Sequence, residues 1–168
     1  AELGYSQLDD VRFYLLDGTH HTIPVESWTT VAELNKMAGQ KCSVQDSSPF
    51  AMFEVSNQDE ERVMEEDERV LDLLAFWQRE FNDAKAKSKK AELETFRFLY
   101  KMRLFFEIPE RDNNAVHLAF LQAVHDVTDS RYPCNEQDCM TLAALQLQEE
   151  CGDADGRDDF AAVLDLLQ

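Results

Sequence analysis

Residues 96–106 read FRFLYKMRLFF, and the fold turns on this stretch. Phe96, Phe98, Tyr100, Met102, Leu104 and Phe106 fall on one side of an extended chain. Arg97, Lys101 and Arg103 fall on the other, with Leu99 and Phe105 between them. Side chains alternate across a strand with period two, whereas a helix groups positions three and four apart. The spacing therefore predicts a long half-buried strand, with an aromatic face turned inward.

Working back from that strand, residues 82–95 (NDAKAKSKKAELET) are polar and lysine-rich, a loop or a surface helix. Before them Val70, Leu74, Trp77 and Phe81 share one face at helical period over about 70–81. Asp67 and Glu68 suit the positive end of that helix. Residues 50–56 (FAMFEVS) read as a strand and residues 61–64 as a short edge strand. Thr30-Val31-Ala32-Glu33 has the spacing of a capping box, in which hydroxyl and carboxylate satisfy orphan amides at a helix start. The helix it opens carries Val31, Leu34 and Met37 on one face, with Gly39 as its expected stop. Residues 11–25 read as a hairpin turning at Asp17-Gly18. The order is strand, strand, helix, strand, short strand, helix, strand, which is that of a ubiquitin-like β-grasp roll.

Forward of the strand the pattern changes after Pro109. Residues 113–129 place Val116, Phe120, Val124 and Val127 on one helical stripe. A second helix is expected from the N-cap Asn135 to Gly152, and a third from about Asp158, showing Phe160, Val163, Leu164 and Leu167. Alanines at 119, 123, 143 and 144 suit close helix packing. The expected class is α+β, with an N-terminal extension at 1–10, a ubiquitin-like lobe at 11–108 and a helical lobe at 109–168.

Composition limits function. Among 168 residues there are 34 acidic and 16 basic side chains, for a formal net charge of −18. Such a surface repels nucleic acid and anionic lipid as a whole. Ala1 to Asp10 has no apolar core, so no signal peptide is expected, and no run approaches the ~18 apolar residues of a membrane span. Cys42, Cys134, Cys139 and Cys151 form no dense disulfide pattern, which points to a reduced, intracellular compartment.

No catalytic set stands out. A nucleophile elbow and a glycine-rich phosphate loop are both missing. His117 and His125 lie ~12 Å apart along one helix, too far to share a metal ion. Cys134 and Cys139 would need two more ligands that no spacing supplies. One charged feature has functional promise. Lys85, Lys87, Lys89, Lys90, Arg97, Lys101 and Arg103 place seven of the 16 basic side chains within one short stretch. They suit an anion site for phosphoinositide headgroups, an acidic tubulin tail or an acidic peptide, or equally a solvated loop. The acidic run Asp59 to Glu68 (DEERVMEEDE) suits a contact with a basic surface, or a charged loop complementing a helix end.

The segment from Phe96 to Asp153, with KMRLFF, LAFLQAVHDV and RYPCNEQDCMTLAALQLQEECGD, resembles the junction of the first two lobes of a FERM domain. The resemblance covers residues 10 to 153. Its LQAVHDV and RYP elements, with DGTHHTIPVESWTTVAEL, are most similar to the MyTH4-FERM tails of unconventional myosins of classes VII, X and XV, with some kinesins next. It implies a ubiquitin-like lobe followed by an acyl-CoA-binding-protein-like helical lobe. It also implies an upstream MyTH4 domain, a third FERM lobe that is not read in this sequence, and a helical lobe of four helices where three can be read. A fragment is therefore expected. The implied role is a non-catalytic, cofactor-free adaptor in the cytoplasm, associated with the cytoskeleton. Implied partners are cargo or adhesion-receptor tails, microtubules and the parent motor head, which the chain would contact in an inhibited state. Any ATPase activity would lie in a motor domain elsewhere in the parent. The alternative is a membrane–cytoskeleton linker of the talin or ezrin kind, holding phosphoinositides on the basic cluster.

Overall fold

The computed structural model describes residues 8–58, 60–87, 94–104 and 107–152. Lys89, Lys90, Phe105, Phe106 and the helix expected from Asp158 lie outside the described residues. The contacts divide the chain into two compact units, Ala1–His125 and Asp126–Gln168.

The first unit is built on a five-stranded mixed sheet. Strand β1 (Asp9–Tyr14) pairs antiparallel with β2 (His20–Val25). The turn between them carries Gly18 at φ +80°, a region open to glycine at no steric cost. Asp17 steadies it by accepting from the Thr19 amide at 2.9 Å. Helix α1 (Val31–Lys41) starts with the expected capping box. The Glu33 amide donates to Thr30 Oγ1 at 3.3 Å, and the Thr30 amide donates to Glu33 Oε2 at 2.9 Å. The helix does not stop at Gly39; it runs on to a cap at Cys42. Gly39 serves packing instead, because a Cβ there would lie 2.5 Å from that of Ser47.

Strand β3 (Phe50–Ser56), the short β4 (Glu61–Val63) and helix α2 (Val70–Lys87) follow. Helix α2 extends through Lys87, taking in the first part of the polar segment, because nothing from Asn82 to Lys87 breaks a helix. Strand β5 is Phe96–Met102, and the sheet order is β2-β1-β5-β3-β4. Parallel to β1 and antiparallel to β3, β5 is the central strand. Its ladder with β3 ends at Phe50↔Met102, which is why the regular strand is shorter than the alternation suggested.

One face of the sheet carries the core. Phe98, Tyr100 and Met102 are buried there with Val11, Phe13, Ile23, Val25, Phe50 and Met52, beneath Val31 and Leu34 of α1 and Val70 of α2. Burying each such side chain contributes ~1.5–3 kcal/mol. Aromatic contacts run through the core. Trp77 lies 4.5 Å from Phe98 and 5.6 Å from Phe96, while Tyr100 stacks on Phe50 at 5.5 Å and meets Phe13 edge-on at 5.9 Å.

Helix α3 (Asn113–Thr128) is joined to the sheet unit by hydrogen bonds. Asp112 caps its start by accepting from the Ala115 amide, and also accepts from the Gln45 amide at 2.7 Å. Asn114 donates to the Ser43 carbonyl at 3.0 Å. Gln122 accepts from the Met102 amide at 2.8 Å and donates to the Met102 carbonyl at 3.2 Å. Its side chain thus closes the end of β5 as a neighbouring strand would. The buried positions of this stretch are Asp112, Ala115, Gln122 and Asp126, whereas Val116 is exposed. Phe120, Val124 and Val127 of the expected stripe are half-buried, and the polar Asp112 and Gln122 can be buried because their side chains find hydrogen-bond partners.

In the second unit, α4 (Glu136–Cys151) is capped by Asn135, which accepts from the Asp138 amide at 2.9 Å, and is followed by Gly152 at φ +77°. Both ends are where the sequence placed them. Met140, Leu142 and Leu145 are exposed along it.

Two substitutions test this packing. Replacing Gln122 with Ala leaves both backbone groups of Met102 without that partner and is expected to cost ~2–4 kcal/mol in urea unfolding; a loss under ~0.5 kcal/mol would contradict the role given to Gln122. The Tyr100 hydroxyl is buried without a partner among the described residues, so Tyr100→Phe is expected to be neutral or stabilising by up to ~1 kcal/mol. Burial, with a smaller contribution from Cys42, pushes the Tyr100 phenol above its ordinary value. The folded state therefore holds this proton more tightly than the unfolded chain does. The resulting stability is complete below about pH 10 and declines above it, a decline that Tyr100→Phe should lack.

Candidate functional site

The seven expected basic residues occupy different settings. Lys85 is exposed on α2, and Lys87 is the last residue of that helix. Arg97 is exposed, with its guanidinium 5.8 Å from the centre of the Tyr14 ring. Lys101 is buried: its Nζ pairs with Glu61 of β4 and lies 4.6 Å from the Phe53 ring centre. Arg103 is half-exposed and lies 3.9 Å from Glu66. Among the described members, Lys85 and Arg97 present charge to solvent with no ion pair, whereas Lys101 is committed inside the fold.

Two carboxylates of the acidic run, Glu61 and Glu68, are committed to close ion pairs. Glu61 holds Lys101, and Glu68 holds Arg62 at 3.1 Å, while Arg62 also pairs with Glu54 at 2.6 Å. Glu68 further accepts from the Glu65 amide at 2.8 Å. These contacts tie the β4 edge to β3 and to the turn before α2.

A feature not legible in the sequence lies where β1 and β5 part. Their parallel ladder consists of Phe13↔Phe98 and Tyr14↔Leu99. Carried one step back, the same register sets Arg12 opposite Arg97, and there the strands are no longer paired. A crevice of about 570 Å³ opens at this point, lined by Val11, Arg12, Tyr14, Leu74, Trp77 and Arg97 among others. Trp77 is 9% exposed, and its indole N–H has no acceptor among the described residues. Arg12 and Arg97 make no ion pair within 4.0 Å among the described residues. Parallel pairing of the first and last strands brings these residues together across more than eighty positions of chain, so no local spacing signals them.

Among the described residues, no three His, Cys, Asp or Glu side chains are placed to hold a metal ion. His20 and His21 lie against Tyr14 and Phe13, with ring centres 5.6 and 5.5 Å apart. Cys42 is half-buried, and burial pushes its thiol up to about 11. Cys134 sits beside Cys139 ahead of α4, and its thiol is also raised, by desolvation first and then by its neighbour. No described helix is long and apolar enough to cross a membrane.

Comparison with known proteins agrees with this architecture. Residues 10–104 match the family described as "RA like domain", and residues 109–167 match "FERM central domain". FERM domain-containing protein C of Dictyostelium discoideum is 26% identical over 157 residues, which are 92% of this chain and 9% of that protein. The chain thus spans about a tenth of the length of this curated relative. Among solved structures, the MF1 MyTH4-FERM domain of Dictyostelium discoideum myosin VII has a TM-score of 0.72 at 23% identity, covering 95% of this chain and 32% of that one. The C-terminal MyTH4-FERM domain of human myosin 7b, solved in complex with the harmonin-a PDZ3 domain, has a TM-score of 0.68 at 17% identity, with coverages of 95% and 32%. The chain therefore belongs to the RA-like family through residues 10–104, and its residues 109–167 match the FERM central domain.

Proposed function

We propose that this chain is the leading two-lobe part of the FERM region in a motor-protein tail of the myosin VII kind, and that it serves as a non-catalytic docking module for protein partners. The observation that carries this reading is that one chain joins an RA-like lobe to a FERM central lobe and shares its fold, over 95% of its length, with a myosin VII MyTH4-FERM domain. The myosin 7b neighbour was solved with a PDZ partner bound, which favours protein partners over a chemical substrate. The proposed setting is cytoplasmic and cytoskeletal, next to a MyTH4 domain and a third lobe. Cargo tails and the parent motor head are the proposed partners, and microtubules a further candidate.

A membrane-linker role is the second reading, supported by Lys85, Lys87, Lys89, Lys90 and Arg97 as a possible phosphoinositide site. Two observations weigh against it. Lys101 is used internally, and the net charge of −18 opposes approach to an anionic bilayer. Co-sedimentation with vesicles separates the two readings. The docking reading expects no more pelleting with phosphatidylserine and phosphoinositide vesicles than with neutral ones, whether or not Lys85, Lys87, Lys89 and Lys90 are changed to Glu. Strong pelleting that falls tenfold or more in the charge-reversed variant would establish the linker role instead.

A further inference from the structure

We propose that Cys134 and Cys139 are a modification site: they close a reversible disulfide by exchange with glutathione disulfide, and the bond fastens the entry of the chain into α4. The placement follows from the helix cap. Asn135 accepts from the Asp138 amide at 2.9 Å, and its own carbonyl accepts from the Cys139 amide at 3.0 Å. Cys134 is therefore the residue just before the cap, and Cys139 is the fourth residue of the helix. Side chains at these two positions pack against each other at many helix starts, usually as an apolar pair. Here both are thiols, and they meet. Desolvation first, and then Cys139 as the nearest neighbour, raises the Cys134 thiol. Pro133 stands directly before the pair, and its ring fixes the backbone there, which stiffens the approach to the cap.

The other cysteines are poor competitors. Cys42 is half-buried, and burial pushes its thiol up to about 11, so it keeps its proton at neutral pH and is a weak nucleophile. Cys151 ends α4, and the intervening helix sets it ~18 Å along the axis from Cys139, whereas a disulfide needs Cα atoms within ~7 Å. A zinc site is disfavoured, since two thiolates leave a tetrahedral shell unfilled. No three His, Cys, Asp or Glu side chains are placed to hold a metal among the described residues. Cys139 is exposed and Cys134 half-buried, so Cys139 meets the oxidant first. Its thiolate attacks one sulfur of glutathione disulfide, whose S–S bond breaks and releases one glutathione. The Cys134 thiolate then attacks the Cys139 sulfur of the mixed disulfide and expels the second glutathione. Two cysteines are oxidised and one glutathione disulfide is reduced, and the two protons lost by the cysteines pass through solvent to the two glutathione thiolates. In a reduced compartment the bond forms only while the glutathione pool is oxidised.

This site is independent of the docking role. To test it, the 168-residue chain is incubated without oxygen in mixtures of glutathione and glutathione disulfide, then quenched in acid and alkylated. Cleavage after glutamate separates Cys134 from Cys139 at Glu136, so mass spectrometry reads the link directly. The Cys134–Cys139 bond should be the main product, and ring closure should be at least about tenfold faster in native buffer than in urea. Asn135→Ala, which removes the cap, should slow closure severalfold. Cys134→Ser should stop at a stable mixed disulfide on Cys139, while Cys42→Ser and Cys151→Ser should leave closure within about twofold. The comparison in urea uses the parent chain, so it does not depend on how any variant folds. A mixed disulfide on Cys139 that never closes in native buffer, closure as fast in urea, or a main product linking either cysteine to Cys42 or Cys151 would each overturn the site.

Discussion

The burial of β5 on both faces is the constraint on which the rest of this structure depends. A central strand must satisfy two ladders and two packing surfaces at once. Phe98, Tyr100 and Met102 supply the core face, and Leu99 and Lys101 are buried on the other. Once β5 is placed, the antiparallel register with β3 from Phe50↔Met102 to Ser56↔Phe96 leaves little freedom to the neighbouring strands, because a slip of one residue would turn every side chain to the wrong face. The end of β5 is closed from α3, whose Gln122 amide meets both backbone groups of Met102. The helix that opens the central-domain homology region is therefore tied to the first lobe by directional bonds, as well as by apolar contact.

Charge is used in two ways by this strongly acidic chain. Around β4 it is internal: Glu61 with Lys101, and Arg62 between Glu54 and Glu68, convert an apparently solvated acidic run into fastenings for a three-residue edge strand. Exposed members of such pairs contribute little individually. The Lys101 pair differs, since its ammonium is buried over Phe53, and loss of Glu61 would strand a buried charge. At the parting of β1 and β5 the charge is outward and unbalanced.

Much of the fold could be read from local chemistry. The Asp17-Gly18 turn, the Thr30/Glu33 capping box, the Asn135 cap and Gly152 after α4 each depend on a few adjacent residues, and each lies where expected. The alternation of 96–102 marked the central strand for the same reason. What could not be read depends on residues far apart in sequence. Gly39 looked like a helix stop because only the fold brings Ser47 against it. Lys101 looked solvated because its partners, Phe53 and Glu61, come from two other strands. The burial of Asp112 and Gln122 was not legible because their partners Gln45 and Met102 are 67 and 20 positions away. The opposition of Arg12 and Arg97 follows from a parallel pairing that no local pattern encodes.

Residue-resolved amide hydrogen exchange tests the central role of β5 most directly. If β5 is the inner strand closed by Gln122, the amides of Phe98, Leu99, Tyr100 and Met102 should be among the slowest in Ala1–His125, exchanging only through global unfolding. The β4 amides at the sheet edge should exchange by far smaller openings. Exchange of the β5 amides as fast as those of β4 would contradict the account.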